Sequence, residues 1–472
     1  MNESLISLYI KWSGENPYKI TPLPLSGSSR KYYRIKSQNN VAIGVENTDR
    51  KENIAFIEFT KHFLKTGINV PELYDVDLEN DVYLLEDLGD TTLFSFLTAK
   101  RKTNAFPAKL KSIYKKVLDK LPEIQIKASK GLPYVYCYPR SEFDKQSMMW
   151  DLNYFKYYFL KLGQIEFDEQ ALEDDFQSFT DYLLTADRNY FLYRDFQSRN
   201  IMLKDEQIYF IDYQGGRKGA LQYDVASLLY DAKASIPNDV RAELLDYYIS
   251  VLENYITVDK QKFKTYYYGY VMIRIMQAMG AYGFRGFYEK KAHFLASIPY
   301  ALQNMKEILD KVELPVKLPT LMSVLNKMVN SEKLLEIGKE RKKLTISVNS
   351  FSYKRGIPVD ETGHGGGFVF DCRALNNPGR FEQYKNLTGK DLKVIEFLNK
   401  EETVHDFIRN VKGIIDISVE NYLNRDFSNL MINFGCTGGQ HRSVYMAEYF
   451  ANYLKNKYNV KVVLRHREQE MK

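Results

Sequence analysis

The sequence predicts an α+β domain of two lobes, followed by a small α/β domain with a mostly parallel sheet. Length is the first reason, because 472 residues exceed the size at which a single hydrophobic core stops growing. The second is a strand-like pattern that runs to about Asp87 and gives way to apolar residues at helical spacing. The third is an alternation of strand-like and helix-like segments after Leu344, which is typical of a parallel sheet.

Three ranges are predicted from these patterns: a first domain over residues 1–310, a helical linker over 311–343 and a second domain over 344–472. Pro315 and Pro319 interrupt the helical pattern of the first domain and mark the linker. Within the first domain, apolar spacing predicts several helices, over residues 52–64, 150–162, 225–234 and 263–279.

Two β-rich runs, residues 201–203 and 208–211, mark the predicted catalytic segment. A short polar turn separates them, so we expect an antiparallel hairpin. Asn200 and Asp212 then meet at its open end, where two oxygen ligands suit Mg²⁺ together with nucleotide phosphates. Asp195 has the spacing from Asn200 at which a kinase places the residue that orients a hydroxyl and accepts its proton. The alternative is a set of ordinary loop carboxylates beside strands.

Three short segments carry a resemblance to a known family. They are Tyr-Arg-Asp-Phe-Gln-Ser-Arg-Asn at 193–200, Ile-Asp-Tyr-Gln at 211–214 and Tyr-Asp-Val-Ala at 223–226. The chain resembles the aminoglycoside phosphotransferase and choline kinase superfamily over roughly residues 20–310. The resemblance implies a protein-kinase-like fold, ATP and Mg²⁺ as cofactors, a small-molecule hydroxyl as acceptor, and a bracing role for Asp224. Tyr193 departs from the usual His, and Tyr213-Gln214 replaces the Phe-Gly of protein kinases.

The resemblance also implies that the nucleotide binds the first lobe. Small residues before the strand at 32–35 let backbone N–H groups approach phosphates. These residues are Ser26, Gly27, Ser28 and Ser29. The apolar strand at 82–85 runs into a segment that corresponds to the adenine-binding hinge, so Glu86 and Leu88 are assigned to nucleotide binding.

One part of the family pattern is missing. Kinases of this shape usually carry a Lys on the third strand that pairs with a Glu on the following helix, but residues 41–45 contain no Lys. Glu52 or Glu58 is the expected acidic partner. Four basic residues are candidates for the cation, namely Arg30, Lys31, Arg34 and Lys51. A degenerate, kinase-like binding module is the alternative.

The second domain is predicted to place its chemistry in one loop. Strands are expected at 345–348, 368–370 and 430–434, and helices at 391–422 and 444–458. The loop before the last helix is assigned to phosphate binding through Cys436, Thr437, Gly438, Gly439, His441, Arg442 and Ser443. Backbone N–H groups at a helix N-terminus hold anions, and Arg442 can add a bidentate contact.

An enzymatic alternative exists for the same loop. Cys436 and Arg442 have the C-x₅-R spacing of cysteine phosphatases, in which a thiolate attacks phosphate. Binding is favoured over catalysis because no separate general acid is identifiable. The segments at 350–358, 370–378, 435–443 and 465–467 together resemble the C-terminal domain of RapZ. That resemblance implies binding of an amino-sugar phosphate and of RNA, although RapZ's own nucleotide-binding N-terminal domain has no counterpart here.

Composition restricts the remaining possibilities. The net charge is +6, and residues 344–472 carry 18 Lys and Arg against 15 Asp and Glu, so RNA is only a weakly supported partner. Three scattered cysteines predict neither a disulfide framework nor a zinc cluster. His364, between glycines, is expected in a loop rather than at a metal. The sequence contains no apolar run long enough for a bilayer and no signal segment, which predicts a cytoplasmic protein without membrane contact.

The first domain most resembles the bacterial N-acetylmuramate and N-acetylglucosamine anomeric kinases of cell-wall recycling. The resulting interpretation is an ATP-dependent sugar kinase whose appended domain binds an amino-sugar phosphate. Two alternatives stay open: a non-catalytic sensor that regulates RNA or protein, and a kinase for choline or an aminoglycoside-like amine.

Overall fold

The computed structural model describes residues 3–24, 30–101, 106–337, 344–360, 366–424 and 427–470. Contacts divide the chain into two compact units. One comprises Met1–Lys290 and Ser297–Leu335, and the other comprises Lys291–Ala296 and Glu336–Lys472. None of the helices in the described ranges is long and apolar enough to cross a membrane.

The first unit begins with a sheet of five antiparallel strands in the order β1-β2-β3-β5-β4. The strands are β1 (Lys19–Pro22), β2 (Lys31–Lys36), β3 (Val41–Glu46), β4 (Leu73–Asp77) and β5 (Val82–Leu85). Helix α1 (Glu3–Ser13) packs Leu5 and Tyr9 against buried residues of the sheet. Helix α2 (Arg50–Lys65) follows β3, and the Asp49 side chain caps it by accepting a hydrogen bond from the Glu52 N–H. The predicted strand-rich first lobe is confirmed.

The next part of the chain is mostly helical. Its helices are α3 (Leu93–Lys100), α4 (Ala108–Pro122), α5 (Lys145–Phe155), α6 (Glu169–Leu184), α7 (Leu221–Leu229), α8 (Asn238–Leu252), α9 (Lys260–Tyr282), α10 (Ala292–Leu295), α11 (Ile298–Leu309), α12 (Pro319–Val329) and α13 (Glu332–Glu336). Two predicted bounds differ. The helix expected at 150–162 begins earlier and changes to a π-helical turn after Phe155, and the one expected at 225–234 ends at Leu229.

Helices α5 and α9 cross very closely. A Cβ on Gly280 of α9 would lie 2.7 Å from Tyr154 Cδ1 and 3.0 Å from the Phe155 nitrogen of α5. Any larger residue would therefore push the helices apart. The crossing matters for function because α5 carries Asp151 and α9 carries Arg274, and both contact the catalytic segment.

Two small hairpins position that segment. Strands β6 (Tyr190–Leu192) and β9 (Arg217–Gly219) pair antiparallel, as do β7 (Ile201–Lys204) and β8 (Gln207–Phe210). The β7–β8 hairpin is the one that the sequence predicts. Its two turn residues, Asp205 and Glu206, have φ of +50° and +62°, the left-handed conformation that tight two-residue hairpins require.

The second unit contains a sheet of four strands, all parallel, in the order β11-β12-β10-β13. The strands are β10 (Thr345–Ser352), β11 (Gly367–Asp371), β12 (Asn429–Cys436) and β13 (Lys461–His466). The helices are α14 (Leu392–Asn399), α15 (Glu402–Asn424), α16 (Arg442–Lys457) and α17 (Arg467–Glu470). The predicted α/β class is confirmed, and β13 is an edge strand that the sequence analysis did not identify.

Candidate active site

Asp195 lies on the loop between β6 and β7, and Asp224 of α7 braces that loop. The Asp224 carboxylate accepts hydrogen bonds from the backbone N–H of Tyr193 at 2.9 Å and of Arg194 at 3.0 Å. Burial raises the pKa of Asp224 to about 7, although these hydrogen bonds act in the opposite direction. Arg194 has φ of +78°, a strained conformation that the two contacts help to hold. The bracing role implied by the resemblance is therefore present.

Asn200 joins the catalytic loop to the predicted metal ligand. Its Nδ2 donates to the Asp195 carbonyl oxygen at 2.9 Å and to Asp212 Oδ2 at 3.2 Å. Gln214 Nε2 donates to Asp212 Oδ1 at 2.7 Å. Burial, and then the charge of Asp195, raise the pKa of Asp212, and its φ is +69°. The structure thus brings together Asp195, Asn200 and Asp212.

These residues fit a divalent cation. Asp212 is a carboxylate whose charge is disfavoured by burial, and a cation beside it would reverse that penalty. Among the residues that the structure describes, no group of three or more His, Cys, Asp or Glu could hold a metal by itself. A cation here would therefore need further oxygen ligands, as Mg²⁺ takes from nucleotide phosphates.

Glu52 of α2 faces this site and Glu58 does not. Glu52 Oε1 accepts a hydrogen bond from Gln214 Nε2 at 3.3 Å and lies 3.1 Å from Arg30 Nη2. Glu58 pairs instead with Lys61 on the outer side of the helix, at 2.7 Å. The helix partner that the sequence left open between two residues is therefore Glu52.

The residues predicted to bind nucleotide fall into two groups, one outside the described residues and one directly after β5. Ser26, Gly27, Ser28 and Ser29 lie outside the described residues. Glu86 directly follows β5; its N–H donates to the Glu72 carbonyl at 2.9 Å and its side chain pairs with Lys204 at 2.6 Å. Leu88 is buried two residues later. Both lie in the segment after β5, as expected of a hinge, and their contact with nucleotide stays a prediction.

Arg274 of α9 is a site residue that the sequence analysis missed. Its Nη2 lies 4.0 Å from Asp195 Oδ1, and its Nε donates to Ser227 Oγ at 3.0 Å. The available signal was a single Arg within an otherwise apolar stretch, residues 269–276, of a helix that the structure shows to be largely buried. Arg194, beside Asp195 in the chain, is neutralised by Asp151 at 2.8 Å.

The loop of the second unit joins β12 to α16. Thr437 and Gly438 are exposed, whereas the other assigned residues are buried. Cys436 Sγ and Ser443 Oγ are hydrogen-bonded at 3.1 Å. Gly439 has φ of +67°, which favours glycine. The tip of the loop is therefore exposed to solvent, whereas the Cys436 thiol is buried.

His441 and Arg442, the two basic residues of this loop, lie within hydrogen-bond distance of backbone carbonyl oxygens. Arg442 Nη1 donates to the carbonyl oxygens of Arg373 and Leu375, both at 2.9 Å. His441 Nε2 lies 2.9 Å from the Tyr384 carbonyl oxygen, so this nitrogen carries a proton. Part of the Arg442 fork is thus committed to the surrounding turn, and phosphate binding by these side chains stays a prediction.

Comparisons with known proteins match two separate regions of the chain. Residues 19–258 match the phosphotransferase enzyme family and residues 344–470 match the RapZ C-terminal domain. A nucleotide-binding protein of Thermosipho africanus is 36% identical over 173 residues, which are 36% of this chain and 60% of that protein. The RNase adapter protein RapZ of Yersinia enterocolitica is 38% identical over 119 residues, 25% of this chain and 40% of that protein.

The chain thus spans about half the length of most of the curated relatives that it matches, although a match at 28% identity covers 97% of a nucleotide-binding protein of Fervidobacterium nodosum. Among solved structures, an ethanolamine kinase of Plasmodium vivax superposes with a TM-score of 0.44 at 12% identity, covering 61% of this chain and 82% of that one.

Proposed function

The chain belongs to the phosphotransferase enzyme family, and we propose that it transfers a phosphoryl group from ATP to a hydroxyl of a small sugar of the N-acetylmuramate or N-acetylglucosamine type. The observation that carries this proposal is the position of Asn200, whose side chain bridges the Asp195 loop and Asp212. A proton acceptor and a metal ligand held together in this way are what phosphoryl transfer to an alcohol requires.

Each residue of the group has a proposed role. Asp195, whose side chain is 39% exposed, is accessible to a substrate hydroxyl, so it orients that hydroxyl and accepts its proton. Asp212 and Asn200 hold Mg²⁺, which, when bound, neutralises charge on the nucleotide phosphates. Asp224 and Tyr193 keep the loop in its strained conformation, so the catalytic carboxylate is pre-positioned.

The surroundings of Asp195 support a sugar over an amine. The guanidinium of Arg274 is 4.0 Å from the Asp195 carboxylate, whereas Arg194 is paired with Asp151. Because Arg274 offsets the charge of Asp195, a cationic acceptor such as choline or an aminoglycoside gains little attraction from this pair, whereas a neutral sugar does not depend on such attraction. This argument favours the sugar kinase over the amine kinase among the alternatives.

For the second unit we propose binding of an amino-sugar phosphate at the exposed tip formed by Thr437 and Gly438, with His441, Arg442 and Ser443 behind it. The N-terminus of α16 adds favourable electrostatics for an anion. Such a ligand would be a product of sugar phosphorylation or a regulator of it. RNA is the competing ligand for this domain.

A substrate screen tests the proposal. ATP turnover with Mg²⁺ is measured against sugars, N-acetylated amino sugars, a sugar acid, choline and an aminoglycoside, and phosphorus NMR identifies the product. We expect an anomeric 1-phosphate of an N-acetylated amino sugar. Phosphorylation of choline alone would exclude the sugar assignment, and nucleotide binding without turnover on any acceptor would favour the non-catalytic sensor.

A further inference from the structure

Strand β3 supplies no cation to the nucleotide site. A Cβ on Gly44 would lie 2.9 Å from Leu5 Cδ2, so this position faces α1, as does Ala42. Because side chains alternate along a strand, Ile43 and Val45 face the other side of the sheet. Both are buried apolar residues. The charge that a third-strand Lys provides in related folds must come from another element or be absent.

Arg30, directly before β2, makes the ion pair expected of that Lys. Its Nη2 lies 3.1 Å from Glu52 Oε1, and Glu52 belongs to the first turn of the helix that follows β3. Its Nη1 donates to the Tyr32 hydroxyl at 3.2 Å, and its guanidinium carbon lies 5.9 Å from the centre of the Phe56 ring. The residue is only 2% exposed. A cation is therefore buried against the helix at the position where the family pattern requires one.

The guanidinium of Arg30 has unused hydrogen-bonding capacity. Neither Nε nor Nη2 has a hydrogen-bond partner among the described residues, since the contact of Nη2 with Glu52 is a close ion pair rather than an aligned hydrogen bond. Buried N–H groups without partners are costly, so oxygens of a ligand that accept from them would be favourable here. The Nε–Nη2 edge is the one with which arginine contacts two oxygens of a phosphate at once.

The same guanidinium is linked to the metal ligand. Gln214 connects Glu52 to Asp212 by hydrogen bonds of 3.3 and 2.7 Å. Arg30 is thus close to the point where a nucleotide's phosphates would meet the metal.

The other basic candidates do not fit. Arg34 is held by Asp87 at 2.6 Å and by Asp90 at 2.8 Å. Lys31 and Lys51 are exposed. Of the four basic residues that the sequence offered, Arg30 alone is buried beside Glu52.

We propose, on the basis of the proposed function, that Arg30 takes the place of the third-strand lysine and that its Nε–Nη2 edge binds the α- or β-phosphate of the nucleotide. Glu52 is then the positioning residue that holds the guanidinium. An arginine stays charged at every accessible pH, so the charge that Arg30 contributes to this contact does not change with pH.

Calorimetry on the full chain tests the proposal with two probes, Mg²⁺-ADP and adenosine. We expect Arg30→Met to weaken Mg²⁺-ADP binding about tenfold to a hundredfold, the range for hydrogen bonds to a charged group, and to leave adenosine binding unchanged. Arg30→Lys should recover part of the loss. Lys31→Met, at the exposed neighbour, is the matched control and should bind both probes as the wild type does.

Equal losses for ADP and adenosine would mean that Arg30 only supports the fold, and unchanged ADP binding would equally overturn the proposal. If Arg30→Met does not fold, Glu52→Gln replaces it, with the same selective loss of ADP affinity expected. Turnover is not needed for this test. A wild type that binds Mg²⁺-ADP but phosphorylates no acceptor contradicts the proposed function alone, whereas a wild type that binds neither nucleotide nor adenosine contradicts both.

Discussion

The hydroxyl group of Tyr193 donates a 2.6 Å hydrogen bond to the carbonyl oxygen of Ile211. Tyr193 belongs to the loop that carries Asp195, and Ile211 directly precedes the metal-ligand candidate Asp212, so one side chain links the two segments of the candidate site. The phenol is fully buried and packs against Phe196 and Tyr213. Tyrosine at a position where the family usually has histidine therefore keeps a structural link rather than losing one.

Removing this hydroxyl provides the first prediction. Tyr193→Phe leaves the ring packing intact but deprives the partly buried Ile211 carbonyl of its donor, which should cost about 1–3 kcal/mol of unfolding free energy. We expect turnover to fall more than the affinity for ATP, because the link positions Asp195 relative to Asp212. Denaturant unfolding and steady-state kinetics measure the two effects. Wild-type stability and turnover in the variant would mean that the link is dispensable.

The candidate site was predictable where its residues lie close together in the sequence. Asp195, Asn200 and Asp212 lie on one short stretch of chain, and the hairpin between them is encoded by its own apolar runs and polar turn. Arg274 was not identified, and Arg30 could not be distinguished from three other basic candidates, because their roles depend on packing between elements distant in sequence. A lone arginine on an apolar helix, or before a strand, gives no sign of the carboxylate that it will meet.

The buried strands and helices of the fold were predictable from their local apolar spacing, whereas the strand at the edge of the sheet was not. Strand β12 and helix α16 carry strong apolar patterns because both are buried on the sheet. Strand β13 lies at the edge, pairs only with β10 and exposes Lys461 and Arg465, so its pattern is weak. The helix expected at 150–162 changes to a π-helical turn at Lys156, which pairs with Glu173 at 2.7 Å, and no local spacing reveals this change.

The second prediction separates proton transfer from metal binding. Asp195→Asn should lower turnover by about a hundredfold to ten-thousandfold, the usual contribution of a general base, while Mg²⁺-ATP still binds. Asp212→Ala should instead weaken nucleotide binding only when Mg²⁺ is present, because it removes a proposed metal ligand. Asp205→Asn, in the exposed hairpin turn, serves as control. Wild-type turnover by Asp195→Asn would refute the kinase assignment.

The third prediction concerns pH. The pKa of Asp224 is raised to about 7 by burial, so folding favours the protonated form. The stabilising effect of this proton is complete below the ordinary pKa of an Asp, near 4, and is lost as pH rises through 7. Asp224→Asn cannot titrate. The unfolding free energy of the variant minus that of the wild type should therefore increase between pH 4 and 7 and stay constant above pH 7. A difference that stays constant over this range would show that Asp224 titrates normally.

The fourth prediction distinguishes binding from catalysis at the second unit's loop. Cys436 is 3% exposed, a poor arrangement for a nucleophile, so Cys436→Ser should bind glucosamine-6-phosphate as the wild type does. Arg442→Ala should lose affinity by about tenfold to a hundredfold, the range for a hydrogen bond to a charged group, and should also lower stability because two carbonyls lose their donor. Calorimetry and a phosphatase assay are run on each variant. Release of phosphate by the wild type that disappears in Cys436→Ser would identify a phosphatase, because serine cannot replace a catalytic thiolate, whereas binding without release would establish the loop as a receptor site.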